Sequence, residues 1–402
     1  MGSRTKMSKR PKAKIKPAVL VWARETAGFD FSTAAEKLDV DEEKLAAWEL
    51  GEDQPSIPQL RKAAEVYKRP LAVMYLPEPP LTFRPMHDFR RLPHLGLRSF
   101  TPELTLEIRA AHQRRELALE LFQDVDAQPN VFSLTTNIKG NPEKVGSFIR
   151  ESLKVDYILQ SHWRDARVAF VAWRSKIEDA GALVFQASRI ESDEASGFAI
   201  WADVLPVIVV NRKDAYPRRV FSLLHELVHL MLRQSGVSDL EAHGLRPQED
   251  EHVEAFCNHV AAATLVPEDL LLAEPIVAAR GVGQHEWSDA EVHSLSMNYS
   301  VSRETIVRRL LTLQRASDDF YGRKRRQYAV EFQQLREREK AKNAGKPIPR
   351  DMPRETVADF GKPFVRRVIE NYHQDRISLS EVSGYLGVKV RHVPGIERQL
   401  GI

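Results

Sequence analysis

Residues 220–233 read VFSLLHELVHLMLR, and the fold of the chain turns on how that run is understood. His225, Glu226 and His229 interrupt what is otherwise an apolar helix. Two imidazoles and a carboxylate buried without partners would cost several kcal/mol, so the helix needs something to offset that cost. Residues i and i+4 of a helix share one face a turn apart. Both imidazoles can therefore reach one Zn2+ ion while Glu226 points at the position left open for water. The rival reading is a buried helix whose histidines are satisfied by core hydrogen bonds, and the HExxH spacing alone does not separate the two.

The flanking sequence adds context on both sides. Upstream, GALVFQA at 181–187, GFAIW at 197–201 and PVIVVN at 206–211 are rich in β-formers and separated by polar turns, which predicts three short strands leading into the HExxH helix. A small sheet there offers an exposed edge to which an extended peptide can add, passing its backbone across the metal.

Downstream, a catalytic zinc needs a third protein ligand, and the candidates are Glu241, His243, Glu249, Asp250, Glu251, His252, Glu254 and His259. Residues 250–266 read as a helix with an apolar stripe through Val253, Phe256, Cys257, Val260, Ala261 and Thr264. At 100° per residue Glu254 borders the stripe and Glu251 lies opposite it, which favours Glu254 and leaves His243, His252 and His259 open. Asn258, one turn beyond Glu254, is placed to orient a ligand. Cys257 reads as a buried thiol, with a zinc-side thiolate as its alternative. For stabilising the oxyanion of a transition state the candidates are Tyr216, Arg219, His285 and His293.

Composition limits the classes open to the chain. Its 402 residues exceed one ordinary core and predict two to three domains. With 43% hydrophobic and 29% charged residues it is globular, neither disordered nor fibrous. Cys257 is the only cysteine, so internal disulfides are excluded and a reducing cytoplasm fits. No run approaches the ~20 apolar residues that span a bilayer, so no membrane partner is expected. The net charge of +3 conceals basic runs at 1–16 and 322–346. These suit nucleic acid, or equally a solvated tail and a solvated helix.

The expected organisation is mostly helical α+β. A basic tail at 1–16 precedes a bundle at 17–76, in which Ser32, Asp41 and Gly51 are the capping and stop signals. A proline-rich linker at 77–100 leads to a metallopeptidase-like domain at 101–316 with a small sheet and the HExxH helix. A basic helix or linker at 317–361 and a helical module at 362–402, itself patterned as helix, turn, helix, close the chain.

Two resemblances sharpen this. STAAEKLDVDEEKLAAWELGEDQPSIPQLRKAAEVYKRPLAV, beginning at Ser32, resembles the helix-turn-helix of XRE-family regulators. Its second helix, however, shows Asp41, Glu42, Glu43 and Glu49 against Lys44 alone, a surface that phosphates repel. Arg24, Lys37 and Arg61 remain for backbone contacts, so DNA and protein both stay open as its partner.

Residues 197–269 resemble the ImmA/IrrE metallopeptidases through GFAIWADVLPVIVVN, RRVFSLLHELVHLML and the Glu254-to-Pro267 segment EAFCNHVAAATLVP. Cys257, Val260 and Thr264-Leu265-Val266 depart from that pattern in packing residues only. The resemblance implies a zincin-like, gluzincin-type site with His225, His229 and Glu254 as zinc ligands and Glu226 as catalytic base. It further implies a regulatory endopeptidase that cleaves a specific protein, such as an XRE-type repressor or antitoxin, in a stress, phage or mobile-element response. The alternative is a DNA-binding regulator or antitoxin whose zinc site is structural or inactive. Oligomeric state stays open.

Overall fold

The computed structural model describes residues 11–80, 87–88, 100–123, 129–163, 165–238, 248–283, 285–343 and 350–402, and the chain divides into two compact units. The first comprises Met1–Pro85 and His94–Ala110, the second Met86–Pro93 and Ala111–Ile402. Most of the tail at 1–16, most of the linker at 77–100, and Glu241 and His243 fall outside the described residues.

In the first unit, helices Pro17–Glu25, Phe31–Leu38, Glu42–Leu50 and Ile57–Val66 enclose Leu20, Ala35, Leu45, Trp48, Leu60 and Tyr67. The small side chains Ala34 and Ala35 let the second helix approach its neighbours closely. Its cap is Asp30, whose carboxylate accepts the Thr33 N–H at 2.8 Å, so Ser32 lies inside the first turn instead of capping it. The turn into the third helix passes through Asp39 at φ 58°, and Gly51 at φ 80° ends that helix.

One expectation is overturned in this unit. Arg24, expected to be free for phosphate, is held by Glu49 through Nε at 2.8 Å and Nη2 at 3.0 Å, with its side chain only 12% exposed. The bidentate pair removes one charge of each sign from the surface.

The second unit carries a mixed sheet of β1 (His87–Asp88), β2 (Leu183–Ala187), β3 (Gly197–Ile200), β4 (Val207–Asn211) and β5 (Gly236–Ser238) in the order β1-β5-β3-β4-β2. β3 is antiparallel to β4 and β5, whereas β2 runs parallel to β4 and β1 parallel to β5. β2, β3 and β4 are the three strands expected. β1 and β5, two and three residues long, are too short to show alternation in a sequence.

Every residue of β2 to β5 is buried because both faces are covered, which is why these strands read as continuous apolar runs. Val184, Ala199, Ile208 and Val210 join Leu223, Leu224, Leu227 and Val228 of the HExxH helix in one core. On β2, Phe185 packs edge-on against Phe360 and Phe364 of the C-terminal helices Met352–Phe360 and Lys362–His373.

The outermost strands are β1 and β2, so β3 and β4, the strands beside the HExxH helix, are interior to the sheet and offer no edge to a peptide. β1 pairs along the outer side of β5. At the other end, Gln186 of β2 and Arg174 both donate to the Ala358 carbonyl of the Met352–Phe360 helix.

Helix Gln248–Leu265 packs against helix Pro142–Ser152 at Gly146, where a Cβ would stand 2.9 Å from the Ala263 Cβ. Polar contacts fix the same junction. Arg309, fully buried, donates to the Val266 carbonyl and clamps Glu143, which also meets His259 at 2.8 Å. Burial alone would raise the Glu143 carboxyl, but hydrogen bonds from His259 and Arg309 hold it down at about 2. Arg150 and Gln160 donate to the carbonyls of Thr264 and Leu265 at the end of the helix, each at 2.9 Å.

Glu143→Gln should strand the Arg309 charge and destabilise the unit by about 3–5 kcal/mol at neutral pH, read as a lower urea midpoint. Because the folded carboxyl titrates below its ordinary 4.5, the ion pair contributes fully above that pH. The difference between wild type and variant should accordingly narrow as pH falls from 4.5 toward 2.

Candidate metal centre

The HExxH helix spans Tyr216–Met231, opens with Pro217 in its first turn, and is buried without interruption from Ser222 to Met231. Its apolar residues serve the sheet on one side and the Gln248–Leu265 helix on the other. His225, Glu226 and His229 are therefore deeply buried, with exposures of 0%, 0% and 1%. The second helix brings Glu254, 2% exposed, to the same point.

The three donors converge. His229 Nε2 lies 3.1 Å from His225 Nε2 and 3.1 Å from Glu254 Oε1, and His225 Nε2 lies 3.4 Å from Glu254 Oε2. Ligands bound at about 2.0–2.1 Å to a tetrahedral zinc ion stand about 3.3 Å apart, so this triangle has the dimensions of one face of such a site. His225, His229 and Glu254 are also a group whose ligand atoms all lie within 4.8 Å of one another. Two imidazole nitrogens and a carboxylate suit zinc, and the residues fit the group.

The surroundings prepare the donors. Asn258 Oδ1 sits 3.1 Å from His225 Nδ1 and accepts its N–H, which fixes the tautomer that leaves the Nε2 lone pair facing the other ligands. Burial would raise the Glu254 carboxyl, but the two imidazoles outweigh it and hold it well below its usual range. Glu226 goes the other way: burial first, and then the Glu254 charge, push it well above the ordinary carboxylate range. Neither Glu226 oxygen has a hydrogen-bond partner of regular geometry among the described residues, and the nearby Ser238 hydroxyl only slightly favours its anion.

Two supporting residues were not legible in the sequence. Ser238 of β5 places its Oγ 3.3 Å from His229 Nε2, and nothing marks a serine in a three-residue strand. Gly197 of β3 lies beneath Glu226, where a Cβ would stand 3.2 Å from the Glu226 Cγ and 2.7 Å from the Val209 carbonyl. A glycine opening a strand was the available signal for such a close approach.

The remaining candidates lie elsewhere. Glu249, Glu251 and His252 are exposed, and His259 turns to Glu143. Tyr216 opens the helix nine residues before His225, about 13 Å along the axis, with its ring between Phe170 and the Arg219 guanidinium. The structure thus does not bring Tyr216 to the metal group. Arg219 is committed to the Asp214 carbonyl at 2.7 Å and Gln186 at 3.0 Å. His285 stands beside Trp287, and His293 is exposed.

Residues 178–311 match the family described as the IrrE N-terminal-like domain, a family of metallopeptidases. The match runs from before β2 into the Arg303–Thr312 helix and so contains every residue of the site. No curated protein matches the chain. No helix among the described residues is long and apolar enough to cross a membrane.

Titration with zinc should give one tight site per chain. Asn258→Ala should weaken it about 10- to 100-fold, and His225→Ala or Glu254→Ala should abolish it, measured by chelator competition. Occupancy should fall in acid, because a metal binds the deprotonated forms of its ligands.

Proposed function

We propose that the chain is a zinc-dependent endopeptidase of narrow selectivity whose substrate is a particular protein, an XRE-type transcriptional repressor or antitoxin. The observation that supports an enzyme over a structural metal site is Glu226. It is fully buried, has no regular hydrogen-bond partner among the described residues, and adjoins three convergent metal donors. Such a carboxylate costs several kcal/mol to keep and contributes nothing to a closed structural site, where all four positions are protein ligands.

In this reading His225 and His229 through Nε2, with the Glu254 carboxylate, would hold the ion. The chemistry that a zinc ion supplies there is Lewis-acid activation of water and of the scissile carbonyl. Asn258 keeps His225 in the ligating tautomer, and Gly197 leaves room for Glu226 to swing over β3. Glu226 takes a proton from the attacking water at its carboxylate and delivers it to the leaving amine nitrogen. Burial, and then the Glu254 charge, raise its proton affinity above that of an ordinary carboxylate, the direction that favours a general base. The apolar walls of the core exclude bulk water from the transfer. The substrate class follows the XRE and ImmA/IrrE resemblances, and in this reading the helical first unit recognises such a partner.

Purified protein with zinc, incubated with the repressor-like proteins encoded beside its gene, should cleave one of them at a single position. Glu226→Gln should keep stoichiometric zinc and lose about 10²- to 10⁴-fold in rate. A fully active Gln variant would sink the mechanism.

A further inference from the structure

The reading above leaves open what holds the substrate, since the strands beside the HExxH helix are interior to the sheet. A cleft of about 1380 Å³ lies along the first half of the HExxH helix, within the second unit. Its floor continues the two stripes that carry the metal group. Phe221, one turn before His225, lines it from one helix, and Ala262, one turn beyond Asn258, lines it from the other. One helical turn is about 6 Å, the length of two extended residues, so the cleft begins about two substrate residues from the scissile bond.

Its outer wall is the long helix Asp318–Asn343, which presents Phe332 at 44% and Leu335 at 53% exposure. Apolar side chains half open to water on a cleft wall are poised to be covered. The cleft's other charges are largely matched: Arg218 with Asp214 at 3.3 Å, Arg325 with Glu304 at 3.8 Å, and Arg303 with Glu331. Arg308 and Arg338 differ, since neither forms an ion pair among the described residues; of the two, Arg308 is half-buried in the cleft while Arg338 and the acids Glu191 and Asp193 are exposed.

We infer that this cleft seats an extended segment of the protein substrate on one side of the scissile bond. Apolar substrate residues cover Phe221, Phe332 and Leu335, and Arg308 selects an acidic side chain beyond them. This rests on the peptidase reading, and its test is kept separate from turnover.

The full chain carrying Glu226→Gln and loaded with zinc is titrated, by fluorescence anisotropy, with labelled 12-residue peptides. One set holds leucines followed by a glutamate, and the other has lysine in place of that glutamate. The glutamate set should bind at least about 10-fold tighter. Adding Arg308→Glu should reverse the preference at unchanged zinc stoichiometry, and Phe332→Ser with Leu335→Ser should weaken both sets alike. Equal affinity for the two sets, or a preference that survives Arg308→Glu, overturns the inference. If the charge preference is found but the chain with Glu226 intact cleaves none of these peptides nor any neighbouring repressor, the catalytic reading fails and the cleft assignment stands.

Discussion

Four ionisable side chains sit out of water at one point of this molecule, and the cost of keeping them there organises what surrounds them. His225, His229, Glu254 and Glu226 are each at most 2% exposed. Without mutual compensation such a group would be neutralised or the helices would part. Three of the four face one another at 3.1–3.4 Å, a geometry in which a divalent cation turns the liability into a ligand set. The helix Gln248–Leu265 carries one of those three and must therefore be held in register with the HExxH helix. Buried Arg309 and Arg150 do this by gripping its C-terminal carbonyls and those just beyond, while Gly146 removes the side chain that would push it away.

The sheet contributes less as a binding edge than as a floor. Gly197 and Ser238, on neighbouring strands β3 and β5, stand under Glu226 and beside His229. β3 and β4, the strands beside the HExxH helix, are interior to the sheet, so strand addition there would first require displacing part of the chain itself. The groove that continues the ligand stripes needs no such displacement. This is the physical reason to route a substrate along the HExxH helix and not along the sheet.

How much of this the sequence carried depended on the kind of signal. The HExxH spacing and the 100° periodicity around Glu254 are local, and the structure brings those residues together. β2, β3 and β4 were legible because strands buried on both faces are unbroken apolar runs. The Asn258 contact was legible as an i+4 relation. The failures were non-local. β1 and β5 have too few residues to show a period, and Ser238 matters only through a turn that returns the chain beside its own helix. Tyr216 was proposed for its chemistry at the start of the right helix, but nine residues of helical rise separate it from the ligands. Arg24 read as an exposed cation because its partner Glu49 lies 25 residues away on another helix.

Cys257 is the soft ligand nearest to the donor group, and the fold gives it another use. It is one turn from Glu254 and buried completely, so a thiolate there would close the site with a fourth protein ligand. Burial, reinforced by the charges of Glu254 and Glu226, pushes the thiol well above its ordinary range. It packs in the same apolar cluster as Phe256, Val260 and Ala261, and it is not part of the convergent donor group. A buried thiol among apolar neighbours serves as a small hydrophobe. The convergent group is thus two imidazoles and one carboxylate, and Cys257 belongs to the packing around it.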